Sequence, residues 1–159
     1  MANQHNQYTD HNDKMYIKLL AMAVLSFIAM YALMYSMVNS LRDIYPSFNQ
    51  FYMAGLMTAP MVLIEIVLMG AMYKNKKLNI IIIALCLLAG LLFFVGIRQQ
   101  TAISDKEFLR SMIPHHSGAI LMCREANITN PDINSLCQTI MKGQQQEIDQ
   151  MRALLNRSN

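Results

Sequence analysis

Charge is the first thing this sequence lacks. Asp, Glu, Lys and Arg make up only 14% of its 159 residues, against 54% apolar residues, and both values lie outside the usual soluble range. The formal net charge is only +3. Beyond residue 100, Lys106, Arg110, Arg124, Lys142, Arg152 and Arg157 are cancelled by Asp105, Glu107, Glu125, Asp132, Glu147 and Asp149. No basic patch results, which excludes a nucleic-acid-binding surface. Cysteine is also scarce: three residues are too few for a disulfide framework but enough for one pair. No Glu-x-x-His occurs. Ferritin-like di-iron oxidases need such pairs, with carboxylates from several helices, so the chain is not expected to be an enzyme.

Long apolar runs are abundant. Crossing the hydrocarbon core takes about 20 mostly apolar residues, and residues 16–38, 51–73 and 78–97 qualify. Tyr16, Tyr52 and Tyr73 stand at span ends, where amphipathic rings favour the interface. The first run is too long for a signal-peptide core and no small-residue cleavage site follows it, so it reads as a retained anchor. The connection Lys74-Asn75-Lys76-Lys77 is short and basic, whereas 39–50 has only Arg42, offset by Asp43. Positive-inside then puts Lys74 to Lys77 and the N-terminus in the cytoplasm. The C-terminal segment falls on the opposite side, the periplasm if the membrane is a bacterial inner membrane. The fold expected is all-α: a polar tail (1–14), a three-helix membrane domain (15–98) and a helical hairpin (104–157). The tail is rich in Asn and Gln and reads as disordered, although His5 and His11 could hold metal weakly.

Glu65 sits near the middle of the second run, and an intramembrane ionisable group is a functional candidate by default. Met53, Met57, Met61, Glu65 and Met69 recur every four residues. That stripe is either a path for a soft cation or a packing face of adaptable methionines. In the second case a protonated Glu65 would bond a hydroxyl such as that of Tyr31 or Tyr35. Pro60 is expected to kink this helix, and Cys86 in the third run to pack.

Beyond the membrane region, Ser104 and Glu107 have capping-box spacing and start a helix to about residue 127. Asn130-Pro131 starts a second, with Asn as N-cap and Pro in the first turn, reaching about residue 155. A short loop between them implies antiparallel packing. At about 100° per residue, Phe108, Leu109, Met112, His116, Ala119, Ile120 and Cys123 share one face of the first helix. Ile133, Cys137, Ile140, Met141, Gln144, Ile148, Met151 and Leu155 share one face of the second. Folded at the loop, residues at one level have numbers summing to roughly 260. His116 then faces Gln144, His115 lies near Glu147, Met112 near Ile148 and Met151, and Cys123 opposite Cys137. Pro114 removes a helical bond just before His115, and the kink it predicts would either help turn both imidazoles inward or merely bend the helix around the membrane domain.

Two readings of this convergence stand. One is a metal site built from His115, His116, Met112 and Met151, with Glu147 and Gln144 as further ligands or supporting groups. Imidazole with thioether favours Cu(I) and by extension Ag(I), whereas His with Glu would suit zinc or Cu(II). The other is a core histidine hydrogen-bonded to Gln144. Cys123 and Cys137 could be a disulfide, soft-metal thiolates or two small core residues.

The run from Phe108 to Ile120, with Met112, Pro114, His115, His116, Ser117 and Gly118 at its centre, resembles the domain-of-unknown-function family number 305. The second helix matches through Ile140, Gln144, Glu147, Ile148 and Met151. That family has a ferritin-like helical fold and includes copper-binding CopM-like proteins. The resemblance covers about residues 104–155. It implies periplasmic binding of copper or silver and a part in metal tolerance, through the His and Met residues named above. The family domain often has a second helical pair, making four helices, where this chain has one. A lone hairpin of this size buries too little surface to be stable, so it must pack on its membrane helices or form a homodimer with a second copy. The competing expectation is a structural or assembly module whose hairpin binds a partner without metal.

Overall fold

A computed structural model describes the backbone of residues 2–157 and the side chains of residues 14–157. Among the described residues there are five α-helices and no strand. They are α1 (Ala2–Leu33), α2 (Phe48–Leu68), α3 (Lys76–Arg98), α4 (Asp105–Glu125) and α5 (Pro131–Arg157). The all-α expectation holds. So does the number of spans: Lys14–Met37, Phe48–Leu68 and Lys76–Arg98 are each long and apolar enough to cross a membrane. The polar tail departs from expectation. The α1 backbone begins at Ala2, since nothing between Ala2 and Leu33 is Gly or Pro and no breaker separates the tail from the apolar run. The side chains of residues 2–13, His5 and His11 included, lie outside the described residues.

The chain divides into two compact units, and the division is not at one point in sequence. Unit 1 is Met1–Tyr31 with Phe51–Thr101; unit 2 is Ala32–Gln50 with Ala102–Asn159. In unit 1 small residues let helices approach. Ala54, Gly55, Ala59, Val62 and Ile66 are the buried face of α2. A Cβ on Gly55 would come within 2.4 Å of the Phe93 ring, so only glycine fits there. Such small-residue contacts are how apolar helices associate where lipid removes the hydrophobic driving force. A second cluster joins Leu19, Val62, Ile66 and Tyr73, with Cys86 packed against it, as expected for that free cysteine. Tyr16 donates to Asn79 Oδ1 at 2.7 Å and stacks near Tyr73, ring centroids 5.4 Å apart. These tyrosines tie α1 to the start of α3.

The structure moves Glu65. Helix α2 stops at Leu68, so Glu65 stands in its last turn, not at mid-span. The residues from Met69 to Tyr73 form a turn instead of more helix. Gly70 lies in it, and Met72 N–H bonds the Met69 carbonyl. The hydroxyl that Glu65 accepts from is that of Tyr73, at 3.3 Å. Tyr35, the alternative partner expected, donates instead to the Tyr45 carbonyl at 2.9 Å. Met53, Met57 and Met69 are 45%, 46% and 39% exposed. Met61 and Glu65, the other members of the stripe, are half-buried.

Unit 2 explains how a two-helix hairpin acquires a core. The connection before α2 straps across α4 and α5. Its Asn39 N–H donates to Ser117 Oγ at 2.8 Å, and Ser117 Oγ donates to Asp43 Oδ2 at 2.5 Å. Arg152, from α5, pairs with Asp43 Oδ1. Asp43 is only 3% exposed and Ser117 fully buried. The strap backbone passes next to Gly118, where a Cβ would lie 3.4 Å from the Met37 carbonyl, an ordinary contact distance. Tyr45 packs on the core of Ile113, Ile120, Ile148, Met151 and Leu155. The strap also claims the capping carboxylate. Ser104 makes no side-chain cap, and Glu107 instead accepts from Phe48 N–H at 3.1 Å and from Arg110 at 3.0 Å. The expected capping box is thus replaced by a long-range bond to the first turn of α2. The second helix starts as read from sequence: Asn130 Oδ1 accepts from Asp132 N–H at 2.8 Å and Ile133 N–H at 3.2 Å.

Candidate functional site

Helices α4 and α5 run antiparallel, with Cys123 joined to Cys137 at the loop end by a disulfide, Cα atoms 5.3 Å apart. This decides between the three readings of those cysteines. It fixes the level of every other facing pair, because both helices rise equally from that bond. Each helix then brings a polar break in its apolar face to the middle of the hairpin.

The break holds His116, Gln144 and Glu147. His116 Nδ1 lies 3.1 Å from Glu147 Oε2, with His116 13% and Glu147 57% exposed at the side chain. The alignment is not that of a hydrogen bond, and His116 Nδ1 is a buried atom with no hydrogen-bond partner. Gln144 Oε1 is likewise buried and unbonded. This corrects the expectation of a core histidine bonded to Gln144. It also exchanges the histidines, for His116 and not His115 meets Glu147. The reason is the strap. By covering Ser117 and Gly118 it turns the buried face of α4 toward Ile113, Pro114, Ser117 and Ile120, and His116 rotates to the edge. His115 is exposed, its ring centroid 6.0 Å from that of His116. Phe108 and Ile133, expected in the core, are each 50% exposed; both stand near helix ends.

The two methionines belong to the apolar core of the hairpin. Met151 is 8% exposed, and Met112 packs against the same cluster. Pro114 is buried, and α4 continues through it. Burial holds the His116 imidazole below its usual pKa; Glu147 opposes that shift and His115 adds to it. A neutral ring with one lone pair is the form that binds metal. Among the described residues, however, no three His, Cys, Asp or Glu side chains converge as a metal-holding group. One chain brings together His116 and Glu147, keeps Gln144 Oε1 buried in the same hairpin with Met112 and Met151 in its apolar core, and leaves His115 exposed.

Sequence reading missed Asp43, Ser117, Arg152 and Asn39 as the residues that position α4. Asp43 and Arg152 were visible only as charges to be counted. The available signal was the small pair Ser117-Gly118 inside an otherwise bulky helix, which marks a place where another backbone comes close.

Fold and site together define a helical membrane protein carrying a strapped, disulfide-closed hairpin. The family model described as "Domain of unknown function (DUF305)" matches residues 96–155. An uncharacterized protein of Acanthamoeba polyphaga mimivirus is 36% identical over 141 residues, spanning 87% of this chain and 91% of that one. The chain belongs to the DUF305 family. No solved structure matches it.

Proposed function

We propose that the protein is a membrane-anchored binder of soft metal ions, Cu(I) first and Ag(I) by extension, which sequesters them outside the cytoplasm. It is a binding protein, not an enzyme. The observation that carries this reading is the pair of buried, unbonded polar atoms, His116 Nδ1 and Gln144 Oε1. Burying a polar atom without a hydrogen bond costs up to about 1–3 kcal/mol; Glu147 Oε2 at 3.1 Å offsets part of it for His116 Nδ1, and a coordinated ion would offset the rest. Met112 and Met151 of the hairpin core would supply thioethers, and soft ligands suit Cu(I). Glu147 adds a carboxylate at the rim, through which zinc would compete. The residues present therefore fit such an ion in kind.

The Cys123–Cys137 disulfide supports an oxidising compartment for the hairpin. The basic connection Lys74 to Lys77 supports a cytoplasmic N-terminus. In a bacterium that combination is an inner-membrane protein with a periplasmic hairpin. The second reading, a partner-binding module without metal, draws support from the exposed Phe108, Met122, Leu136 and Leu154.

Competition with a Cu(I) chelator, using the full chain in detergent, separates the two. His115→Ala with His116→Ala should weaken Cu(I) binding, as should Met112→Leu with Met151→Leu, while helicity stays. Glu147→Gln should affect zinc more than Cu(I). Wild-type Cu(I) affinity in both double variants removes the metal reading and leaves the partner-binding one.

A further inference from the structure

The strap covers one side of the hairpin. At about 100° per residue, the opposite side of α4 carries Phe108, His115 and Met122, each seven residues from the next. The matching side of α5 carries Leu136, Gly143, Glu147 and Leu154, spaced seven, four and seven. That is the heptad spacing with which helices pack on helices. Phe108, Met122, Leu136 and Leu154 are 50%, 55%, 58% and 44% exposed, and a Cβ on Gly143 would meet nothing within 4 Å.

The face has an order along its length. Phe108 and Leu154 form one apolar end, and Met122 and Leu136 the other. His115 and Glu147 lie between them, beside the unbonded atoms of His116 and Gln144. An apolar–polar–apolar pattern is self-complementary under a two-fold axis through its centre. A two-fold axis along the hairpin sets α4 of each copy against α5 of the other, so each apolar end lies on the same end of the other copy and His115 of one copy faces Glu147 of the other. A lipid surface would take the ends but leave the polar centre unsatisfied.

We propose that a second copy of this chain docks on this face, making a four-helix bundle whose centre holds the metal ion between the two chains. The role of the bundle rests on the soft-metal reading; the pairing rests on the face alone. Neither chain alone converges three His, Cys, Asp or Glu side chains. Pairing doubles the set at the centre to four imidazoles and two carboxylates, and brings the exposed His115 into it.

The test uses the full chain carrying Cys86→Ser, so that no native free thiol remains. Gly143→Cys should cross-link to itself with a short bis-maleimide, and Lys142→Cys, on another side of α5, should not. Leu136→Glu with Leu154→Glu alters side chains already half exposed, so helicity should persist. Self-association measured by sedimentation in detergent should weaken roughly a hundredfold, as for loss of apolar interface anchors, and Cu(I) affinity should fall with it. Equal cross-linking at positions 142 and 143, or a dimer that survives both glutamates, overturns the pairing. So does a monomer in nanodiscs whose residue-143 label is quenched from the lipid. A monomeric variant with wild-type Cu(I) affinity refutes the shared site while leaving metal binding in place. A cross-linked dimer that takes up no Cu(I) upholds the pairing and removes the metal reading.

Discussion

Replacing Asp43 by alanine should loosen the hairpin more than any single change among its surface charges. Asp43 is 3% exposed and is the meeting point of three segments. It accepts from Ser117 Oγ at 2.5 Å and pairs with Arg152. A hydrogen bond to a charged acceptor contributes about 1.5–3 kcal/mol. Breaking a fully buried ion pair by removing one partner costs about 3–5 kcal/mol. The Arg152 side chain is still 29% exposed, so water recovers much of that second cost and a contribution of about 1 kcal/mol is the better figure. The total is about 3 kcal/mol, or roughly a hundredfold in the unfolding equilibrium. Arg152→Met added to Asp43→Ala should recover part of the loss, because it removes the stranded cation. Denaturant unfolding of the full chain in detergent, followed by protease cleavage at the hairpin, measures this without requiring the spans to unfold. An Asp43→Ala protein within about 0.5 kcal/mol of wild type, the range of an ordinary surface change, would refute the strap as the element that holds α4 and α5 in place.

Three further outcomes follow from the same geometry. Opening the Cys123–Cys137 bridge, whose cysteines are 14 residues apart, should cost about 3 kcal/mol by loop entropy; alkylation without reductant should label Cys86 alone. The lowered His116 pKa means that the unfolded chain takes up a proton before the folded one does. Hairpin stability should thus be constant above about pH 6.5, the unfolded value, and decline below it until His116 protonates in the fold. His116→Gln should flatten that decline. Glu65→Gln should leave protein level and helicity unchanged, since an amide oxygen still accepts from Tyr73; a loss of metal tolerance at normal protein level would show that the Glu65 charge moves ions.

Some of this protein was fixed by local chemistry and could be read directly. Twenty apolar residues in a row specify a span wherever they occur, so three spans were legible. Asn130-Pro131 caps α5 using atoms within three residues, and Cys123 faces Cys137 because equal rise on two helices fixes their level. The family resemblance was legible because most of its motif is one continuous run of sequence, Phe108 to Ile120.

What the sequence could not give depends on groups far apart in the chain. Glu107 bonds Phe48 and not the start of its own helix, and Glu65 finds Tyr73 because α2 ends a turn early. Asp43 is an isolated acid in a connection until the fold brings it against Ser117, 74 positions away, and Arg152, 109 away. The hydrophobic period of α4 described a helix with one neighbour. The folded helix has two, α5 and the strap, and the second turns it far enough to bring His116, not His115, to Glu147. Periodicity gives the direction of a helix face only relative to the apolar residues on it, whereas a polar contact such as Asp43–Ser117 buries a side that periodicity marks as exposed.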